Sequence, residues 1–465
     1  MNGDPGSDVP LTWNLLRRRI WFPYWDTCKK RYELCDSGQP VWAGFRALTP
    51  SKPLPNGGMS DDDGSDSSHS SLEEDIAIIL YLTRWPSPEP RAPRRNPAQT
   101  GIQKMYEIMQ HDAQCRFTFR MSATQIIRLH DLLTARYGLS GTSGFTSMEA
   151  VGLFLYMMSG ESNRDANSFF TRSSSTISRY FNSVLASVNA LAADILKPVD
   201  HNFVQVHDGL LAEDDFRPFY GAVGAVDGTH VEVLSPGQTS SQLQHRNRHH
   251  QVTSKNVLVI CDLDGRVLFC DAGWPGSFHD RRVLSDAIDC RAHRFPSLPL
   301  SPDLNSHYNP FESWKYFLGD SGYPCKMGVL PPIPGFPVPR DRRQSRARRR
   351  VPEGREHRFN DVHASLRSVI RRQLGIAKEE WRILERIPHH PDPGWQPRVI
   401  RAAFTLHNFS WDSRDPAFME TCPLYNGSAP VLPACPPFSY NYFAINSEEA
   451  MAALRGLIAD ALMRY

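Results

Sequence analysis

The sequence predicts an α/β protein in which an all-helical region precedes a mixed β-sheet flanked by helices. From about residue 104 to 198, apolar residues recur at the three-to-four spacing of amphipathic helices, as at Ile126, Leu129 and Leu133. After Phe219 the pattern changes to β-rich apolar runs, which begin as a hairpin and then alternate with helical segments. That order of elements is typical of a mixed sheet covered by helices.

The composition allows a large folded chain but gives no bulk argument for a nucleic-acid partner. The chain has 465 residues, of which 40% are apolar, enough for two or three domains or for one large core with insertions. Its 52 Lys and Arg residues nearly balance 50 Asp and Glu residues, so the net charge is only +2. The charges are unevenly distributed, and a basic surface would therefore be local.

The N-terminal region, 1–103, is expected to contain two disordered linkers. Residues 59–71 are rich in Asp, Ser and Gly, and they bury too little apolar surface to stay ordered. Residues 86–95 are rich in Pro and Arg, which is typical of an extended, solvated segment. Residues 1–58 contain aromatic segments without a clear period, and they predict no function.

Cysteine usage and the first residues favour a soluble intracellular protein. The nine cysteines include no C-x-x-C pair, and their odd, scattered arrangement suits a compartment where thiols stay reduced. The N-terminus lacks the basic-then-apolar pattern of a signal peptide. The most apolar early run, 76–82, is too short to span a bilayer.

Within the helical region, 104–200, two segments have a helix-turn-helix arrangement. A short helix from Asp165 to Phe170 is followed by a polar turn and by a helix from Ile177 through Leu185. The second helix carries Ser178 and Arg179, which would contact DNA if that helix lay in a major groove. Most helix pairs of this sort belong to core bundles, so that alternative stays open.

The β-rich part, 215–410, is predicted as one domain, and 411–465 as a C-terminal helical tail. The apolar runs that predict strands are 222–233, 256–262, 266–270 and 316–320. Asp264 and Gly265 form the turn of a hairpin, Trp274 to Ser277 is predicted as a loop, and a helix begins at Asp280. The tail is predicted to end in a helix from Ser447 to Met463.

Three aspartates, Asp227, Asp280 and Asp320, are predicted at a strand interior or end, a helix start and a strand end. Carboxylates that converge repel each other and require a cation, and hard oxygen ligands suit Mg²⁺ or Mn²⁺. Two such ions would activate a nucleophile and stabilise the leaving oxygen of a phosphodiester. Taken singly, however, Asp before Gly is usually a turn former, and Asp at a helix start is usually an N-cap.

Two basic clusters are candidate DNA contacts. Residues 340–358 form an Arg-rich insertion that includes Arg348, Arg349 and Arg350. Its contacts to phosphates would be independent of DNA sequence and sensitive to salt, but a nuclear-import signal or a solvated loop would have the same composition. A second cluster, 245–250, contains Arg246 and Arg248 and favours a basic surface over a metal site, because its histidines lack acidic partners.

Several motifs, in order, resemble the signature blocks of the PIF/Harbinger transposase-derived nucleases. The blocks around the aspartates read AVDGTHV at 225–231, GWPGSFHD at 273–280 and LGDSGYP at 318–324. Further blocks are Phe359-Asn360 with His363 and Arg367, Gly375 with Lys378 and 381–384, 406–408, and upstream 169–181. The resemblance covers about 120 to 410.

The resemblance implies an RNase H-like fold and a DDE-type endonuclease or strand-transfer site that depends on a divalent metal, Mg or Mn. Asp227 and Asp280 match the first two catalytic acids and metal ligands, and Asp320 matches a further acidic position that would assist as a metal ligand. The implied substrate is double-stranded DNA, with a Myb-like DNA-binding protein as partner and no membrane. The expected location is the nucleus, and also the cytoplasm.

The third catalytic acid departs from the family pattern. Arg371 stands where the resemblance implies a glutamate, so this is a degenerate third-acid position. A repelling guanidinium there would lower metal affinity, and Glu379 and Glu380 are not favoured as substitutes because they lie off the helical face of position 371. Two functions therefore stay open: a metal-dependent DNA endonuclease, or a catalytically inactive domesticated DNA-binding or scaffolding protein.

Overall fold

The computed structural model describes residues 99–200, 202–234, 253–289, 295–296, 298–299, 309–338, 354–426 and 447–464, all within one compact unit, Arg94–Tyr465. The predicted linkers at 59–71 and 86–95 lie outside the described residues, as do Arg246, Arg248 and Arg348 to Arg350. Within the described part, no helix is long and apolar enough to cross a membrane.

The helical region begins with α1 (Gly101–Met109), α2 (Asp112–Phe119), α3 (Ala123–Arg136), α4 (Ser147–Met158), α5 (Asn163–Phe170) and α6 (Ser174–Ile195). Most of these helices begin after a Ser or Thr whose hydroxyl accepts a backbone N–H of the first turn, as Ser122 does from Gln125. The predicted second helix of the helix-turn-helix pair continues ten residues beyond Leu185, because buried residues recur through Val188, Leu191 and Ile195.

A mixed sheet follows, with β1 (Ala222–Val233), β2 (Ser254–Cys261), β3 (Val267–Pro275), β4 (Tyr316–Leu318), β5 (Val329–Leu330) and β6 (Arg386–Ile387). The strand order is β3-β2-β1-β4-β5, and β6 also pairs with β1. The first three strands are antiparallel, whereas β4 pairs parallel to both β1 and β5. The mixed sheet confirms the predicted α/β, RNase H-like fold class.

The predicted loop from Trp274 to Ser277 is in part wrong. β3 continues through Trp274 and Pro275, which pair with Asn256 and Lys255 of β2. Proline has no N–H to donate, but it is tolerated at the end of a strand at the sheet edge.

The remaining helices are α7 (Asp208–Leu211), α8 (Asp280–Asp289), α9 (Pro310–Ser313), α10 (Arg355–Glu380), α11 (Trp395–Asp412), α12 (Pro416–Thr421), α13 (Pro423–Asn426) and α14 (Ser447–Ala461). Short 3-10 turns lie at Asp214–Phe219 and Arg382–Leu384. The start of α8 at Asp280 agrees with the sequence prediction.

The end of the predicted Arg-rich insertion is helical. Arg355 and Arg358 lie in the first turn of α10, and Arg358 forms an ion pair with Asp215 at 2.7 Å. Residues 340–353 lie outside the described residues.

Helices cover both faces of the sheet. Successive apolar side chains of the central strands point to opposite faces, so both faces are apolar and need covering. Val226 and Leu258 pack on one face with α8 residues such as Leu284. On the other face Ala225 and Val259 belong to the core that contains α10 and α11. A strand buried on both faces requires apolar residues at every position, so a charged residue such as Asp227 in the middle of β1 needs a specific reason.

Candidate active site

Strand register places Asp227 and Asp320 side by side. β1 and β4 run parallel, with Ala225 opposite Leu318. Asp227 is two residues beyond Ala225, and Asp320 is two residues beyond Leu318, so both carboxylates reach the same level of the sheet. Asp227 lies within β1 and not in a turn, which excludes the simple turn-former interpretation of the Asp227-Gly228 pair.

Asp280 reaches the same place from α8, on the neighbouring side of β1. A Cβ atom added to Gly228 would lie 2.5 Å from the Asp280 carboxyl carbon, so only glycine leaves room for that carboxyl against the strand. The Asn256 amide of β2 donates a 2.6 Å hydrogen bond to Asp280 Oδ1 and fixes its direction. Asp280 is therefore held against the strand at the residue next to Asp227 and is not simply an N-cap.

Two arginines from α10 lie on the carboxylate pair Asp227 and Asp320. The Arg367 guanidinium, only 2% exposed, bridges them, with Nη1 3.2 Å from Asp227 Oδ2 and Nη2 3.0 Å from Asp320 Oδ1. One turn on, Arg371 Nε lies 4.0 Å from Asp227 Oδ2, and Arg371 Nη2 lies 3.8 Å from Asp320 Oδ1. Residues four apart share a helix face, so both guanidiniums point to the same site. These five residues (Asp227, Asp280, Asp320, Arg367 and Arg371) are called the carboxylate cluster below.

Burial and charge act in opposite directions on the cluster. Burial raises the pKa of Asp227, while Arg367 and Arg371 lower it and Asp320 raises it further. Burial also lowers the pKa of the Arg367 guanidinium, which Asp227 and Asp320 oppose. Each group tolerates burial because its counter-charge is close.

Tyr323 is buried, and its backbone N–H donates to the Asp320 carbonyl at 3.0 Å. Burial raises the pKa of its phenol well above the usual range, and the charges of Asp280, Asp227 and Asp320 raise it further. The phenol oxygen is buried and has no hydrogen-bond partner among the described residues. Tyr323 belongs to the motif at 318–324, but the sequence does not mark it as a site residue, because a buried aromatic in an apolar segment is normally core.

The cluster does not fit a DDE metal site of two closely spaced ions. In the described part of the chain, no three acidic, His or Cys side chains form a group that could hold a metal ion. The reason is visible in the contacts: Asp227 and Asp320 face Arg367 and Arg371, while Asp280 is turned to Asn256. Glu380 offers no replacement, since it pairs with His407 and Arg414.

The two described candidates for DNA contact are accessible. Ser178 and Arg179 are exposed on α6, and the Arg179 guanidinium lies 4.8 Å from the centre of the Tyr180 ring. The opposite face of α6 is buried through Ile177, Phe181 and Val184. This helix is therefore a core element with one free polar edge, and its contact with DNA stays a prediction.

Comparisons with known proteins agree with the motifs. Residues 226–408 match the family model described as DDE superfamily endonuclease. Residues 96–190, which hold most of the helical region, match a family model described as a domain of unknown function (DUF8040). No solved structure matches the chain at a significant level.

Among curated proteins, the chain is 28% identical over 200 residues to "Putative nuclease HARBI1" of Mus musculus, covering 41% of this chain and 46% of that protein. It is 28% identical over 196 residues to "Protein ALP1-like" of Arabidopsis thaliana, covering 41% of this chain and 43% of that protein. The chain thus spans less than half the length of these relatives. Residues 226–408 thus match a DDE superfamily endonuclease model, and the chain is similar over about 200 residues to a protein named as a putative nuclease.

Proposed function

We propose that this protein acts on DNA as a transposase-derived member of the DDE endonuclease superfamily, and that its carboxylate cluster binds divalent metal too weakly to sustain cleavage. The observation that carries the proposal is Arg371. Its guanidinium lies within 4.0 Å of both Asp227 and Asp320, where the family resemblance implies a glutamate.

Charge counting gives the physical reason. Three carboxylates and two guanidiniums leave the cluster with one net negative charge, whereas a glutamate at position 371 would leave it with three. One unit-charge pair at about 4 Å is worth roughly 4 kcal/mol at an effective dielectric of about 20. Arg371 is 41% exposed, so solvent reduces that value, but its sign still opposes a divalent cation.

The remaining features support DNA binding. Arg179 and Ser178 form an exposed polar edge on α6. The basic residues Arg246, Arg248, Arg348, Arg349 and Arg350, which lie outside the described residues, would add contacts to phosphates. We propose double-stranded DNA as the partner, a nuclear location, and a separate Myb-like DNA-binding protein as a second partner.

The test is to restore the missing acid. Purified protein is incubated with supercoiled plasmid and Mn²⁺, beside Asp227→Ala and Arg371→Glu variants. We expect the natural chain to nick no more than Asp227→Ala, and Arg371→Glu to bind Mn²⁺ about tenfold more tightly, because the repulsive charge becomes attractive.

The matched control is Arg372→Glu. Arg372 is exposed on the same helix but is not part of the carboxylate cluster. Its substitution by glutamate changes the net charge by the same amount as Arg371→Glu. Equal Mn²⁺ binding by Arg371→Glu and Arg372→Glu would contradict the role given to Arg371.

A second candidate is a working metal-dependent endonuclease or strand-transfer protein. It is favoured by the position of Asp280 against Gly228, the residue that follows Asp227 in β1. Plasmid nicking by the natural chain that is abolished by both Asp227→Ala and Asp280→Asn would establish this candidate in place of the first.

A further inference from the structure

A second basic site lies away from the carboxylate cluster, where the helical region meets the DDE domain. A cavity of about 260 Å³ is lined by four arginines, Arg116, Arg120, Arg128 and Arg414. Arg116 lies on α2, Arg120 ends that helix, and Arg128 lies on α3. Arg414 follows α11, and the lining residue Glu380 lies within the matched region 226–408, so the lining includes residues of both matched regions.

The cavity is separate from the carboxylate cluster. Glu380, its one acidic lining residue, is the last residue of α10 and follows Arg371 by nine positions. At 1.5 Å per helical residue, the two positions are roughly 14 Å apart along the helix. A ligand in the cavity would therefore not contact Asp227.

The positive charge of the cavity is only partly compensated. Glu380 is shared between Arg414, at 3.4 Å, and His407, at 2.9 Å. Arg116 has its own partner, Asp112, at 2.8 Å. Across the described ranges, no carboxylate forms an ion pair with Arg120 or Arg128.

Arg120 differs from the other three arginines in having a buried nitrogen, Nε, without a hydrogen-bond partner among the described residues. Burial lowers the pKa of this guanidinium, the neighbouring positive charge of Arg382 lowers it further, and Glu161 acts in the opposite direction. A buried donor without an acceptor is costly, and the side chain that carries it lines the cavity.

The lining also carries neutral donors. Thr124 begins the turn that leads to Arg128, four residues on, so both side chains lie on one face of α3. Ser410 also lines the cavity, as does Ser413, whose hydroxyl already donates to the Phe409 carbonyl at 2.6 Å. Guanidiniums and hydroxyls together suit an oxyanion with several acceptor oxygens, and planar guanidinium forks match phosphate better than a single-atom ion.

We propose that this cavity binds a phosphate group. Its volume of about 260 Å³ holds several water-sized groups, which is enough for a phosphate or a small phosphorylated compound and more than one chloride needs. The phosphate belongs either to a small soluble anion or to the DNA backbone, and the chemistry of recognition is the same.

The experiment uses the full chain and two probes in chloride buffer: pyrophosphate, followed by calorimetry, and a fluorescent 20-base-pair duplex, followed by anisotropy. Arg120→Gln and Arg128→Gln each remove one guanidinium. We expect each variant to weaken binding of the preferred probe about tenfold, the usual scale for a charge-assisted hydrogen bond. Arg128 is exposed, so Arg128→Gln spares the fold even if Arg120→Gln does not.

Arg386→Gln is the matched control, since Arg386 is exposed and its ion pair with Glu232 lies at the surface. Weakened pyrophosphate binding alone identifies a small anion. Weakened duplex binding, with pyrophosphate competing for the cavity, identifies a DNA phosphate. If each probe binds Arg128→Gln as tightly as it binds the natural chain and Arg386→Gln, the proposal is overturned. None of these outcomes depends on plasmid cleavage, so the proposed function is tested separately.

Discussion

Two ionic clusters, both built from arginine and aspartate, differ in their burial and in the balance of their charges. In the first, Arg266 Nε lies 3.1 Å from Asp412 Oδ1, and the two side chains are 8% and 2% exposed. The Tyr425 hydroxyl donates to Asp412 Oδ2 at 2.6 Å, and the Lys197 carbonyl accepts from Arg266 Nη1 at 2.7 Å. One positive charge meets one negative charge, and further partners satisfy both.

The carboxylate cluster is built differently. Arg367 is buried, but Asp320 and Arg371 are 40% and 41% exposed. The phenol oxygen of Tyr323 has no hydrogen-bond partner in the described part of the chain. A closed, balanced pair joins elements of the fold, whereas an open group of unbalanced charges is the kind of site that binds a ligand.

Asp412→Ala is expected to have the largest effect on stability. It leaves the buried Arg266 charge without its partner, and breaking a buried pair from one side costs about 3–5 kcal/mol of unfolding free energy. Urea denaturation followed by circular dichroism measures the loss. Asp112→Ala removes an exposed pair with Arg116 and should cost less than about 1 kcal/mol. If Asp412→Ala and Asp112→Ala lowered the free energy of unfolding equally, buried and exposed ion pairs would not differ in their contribution to stability.

Acidification should destabilise the folded chain through His363, which lies in α10 four residues before Arg367. Burial lowers the pKa of His363 from 6.5 to about 4, the contact with the Leu330 carbonyl opposes that shift, and Arg367 adds to it. The unfolded chain therefore takes up a proton between pH 6.5 and 4 that the folded chain does not. The contribution of neutral His363 to the free energy of unfolding is therefore complete above pH 6.5. It is lost as the pH falls toward 4, and the loss is about 3 kcal/mol at most.

Urea midpoints at pH 7, 5.5 and 4.5 measure this loss. In His363→Gln the side-chain amide can donate to the Leu330 carbonyl in place of the ring, and the variant has no group that titrates. Its midpoint should therefore fall less between pH 7 and 4.5 than that of the natural chain. Parallel falls would show that other groups cause the acid sensitivity.

Arg367→Met should cost about 1–3 kcal/mol, less than Asp412→Ala. The substitution removes a buried cation from between two carboxylates, but Asp320 is 40% exposed and water can solvate it. Thermal unfolding measures the difference. A loss as large as that of Asp412→Ala would place the carboxylate cluster with the structural pairs.

Arg371→Gln should change stability least, by less than about 1 kcal/mol, because its contacts are long and the side chain is 41% exposed. Thermal unfolding beside Arg372→Gln provides the control. A larger loss from Arg371→Gln alone would mean that Arg371 is held as tightly as Arg367.

Much of the candidate site could be predicted from local sequence. Asp227, Asp280 and Asp320 lie at recognisable changes in pattern, and their motifs agree in order with a known family. Arg367 belongs to a matching motif, but the sequence gives no sign of its role, because an arginine in a helix is normally exposed. Its bridging role depends on Asp227, 140 residues away in the chain.

The sequence by itself determined the α/β class, the three aspartates as candidate site residues, and Arg371 as the residue where the family resemblance implies a glutamate. These follow from the periodicity of apolar residues and from motif wording, which are local properties. Only the tertiary structure decided that Arg367 and Arg371 lie on Asp227 and Asp320, that Asp280 fits against Gly228, and that Arg120 and Arg414 share a cavity. Such contacts depend on strand register and helix packing across distant segments, and no local pattern records them.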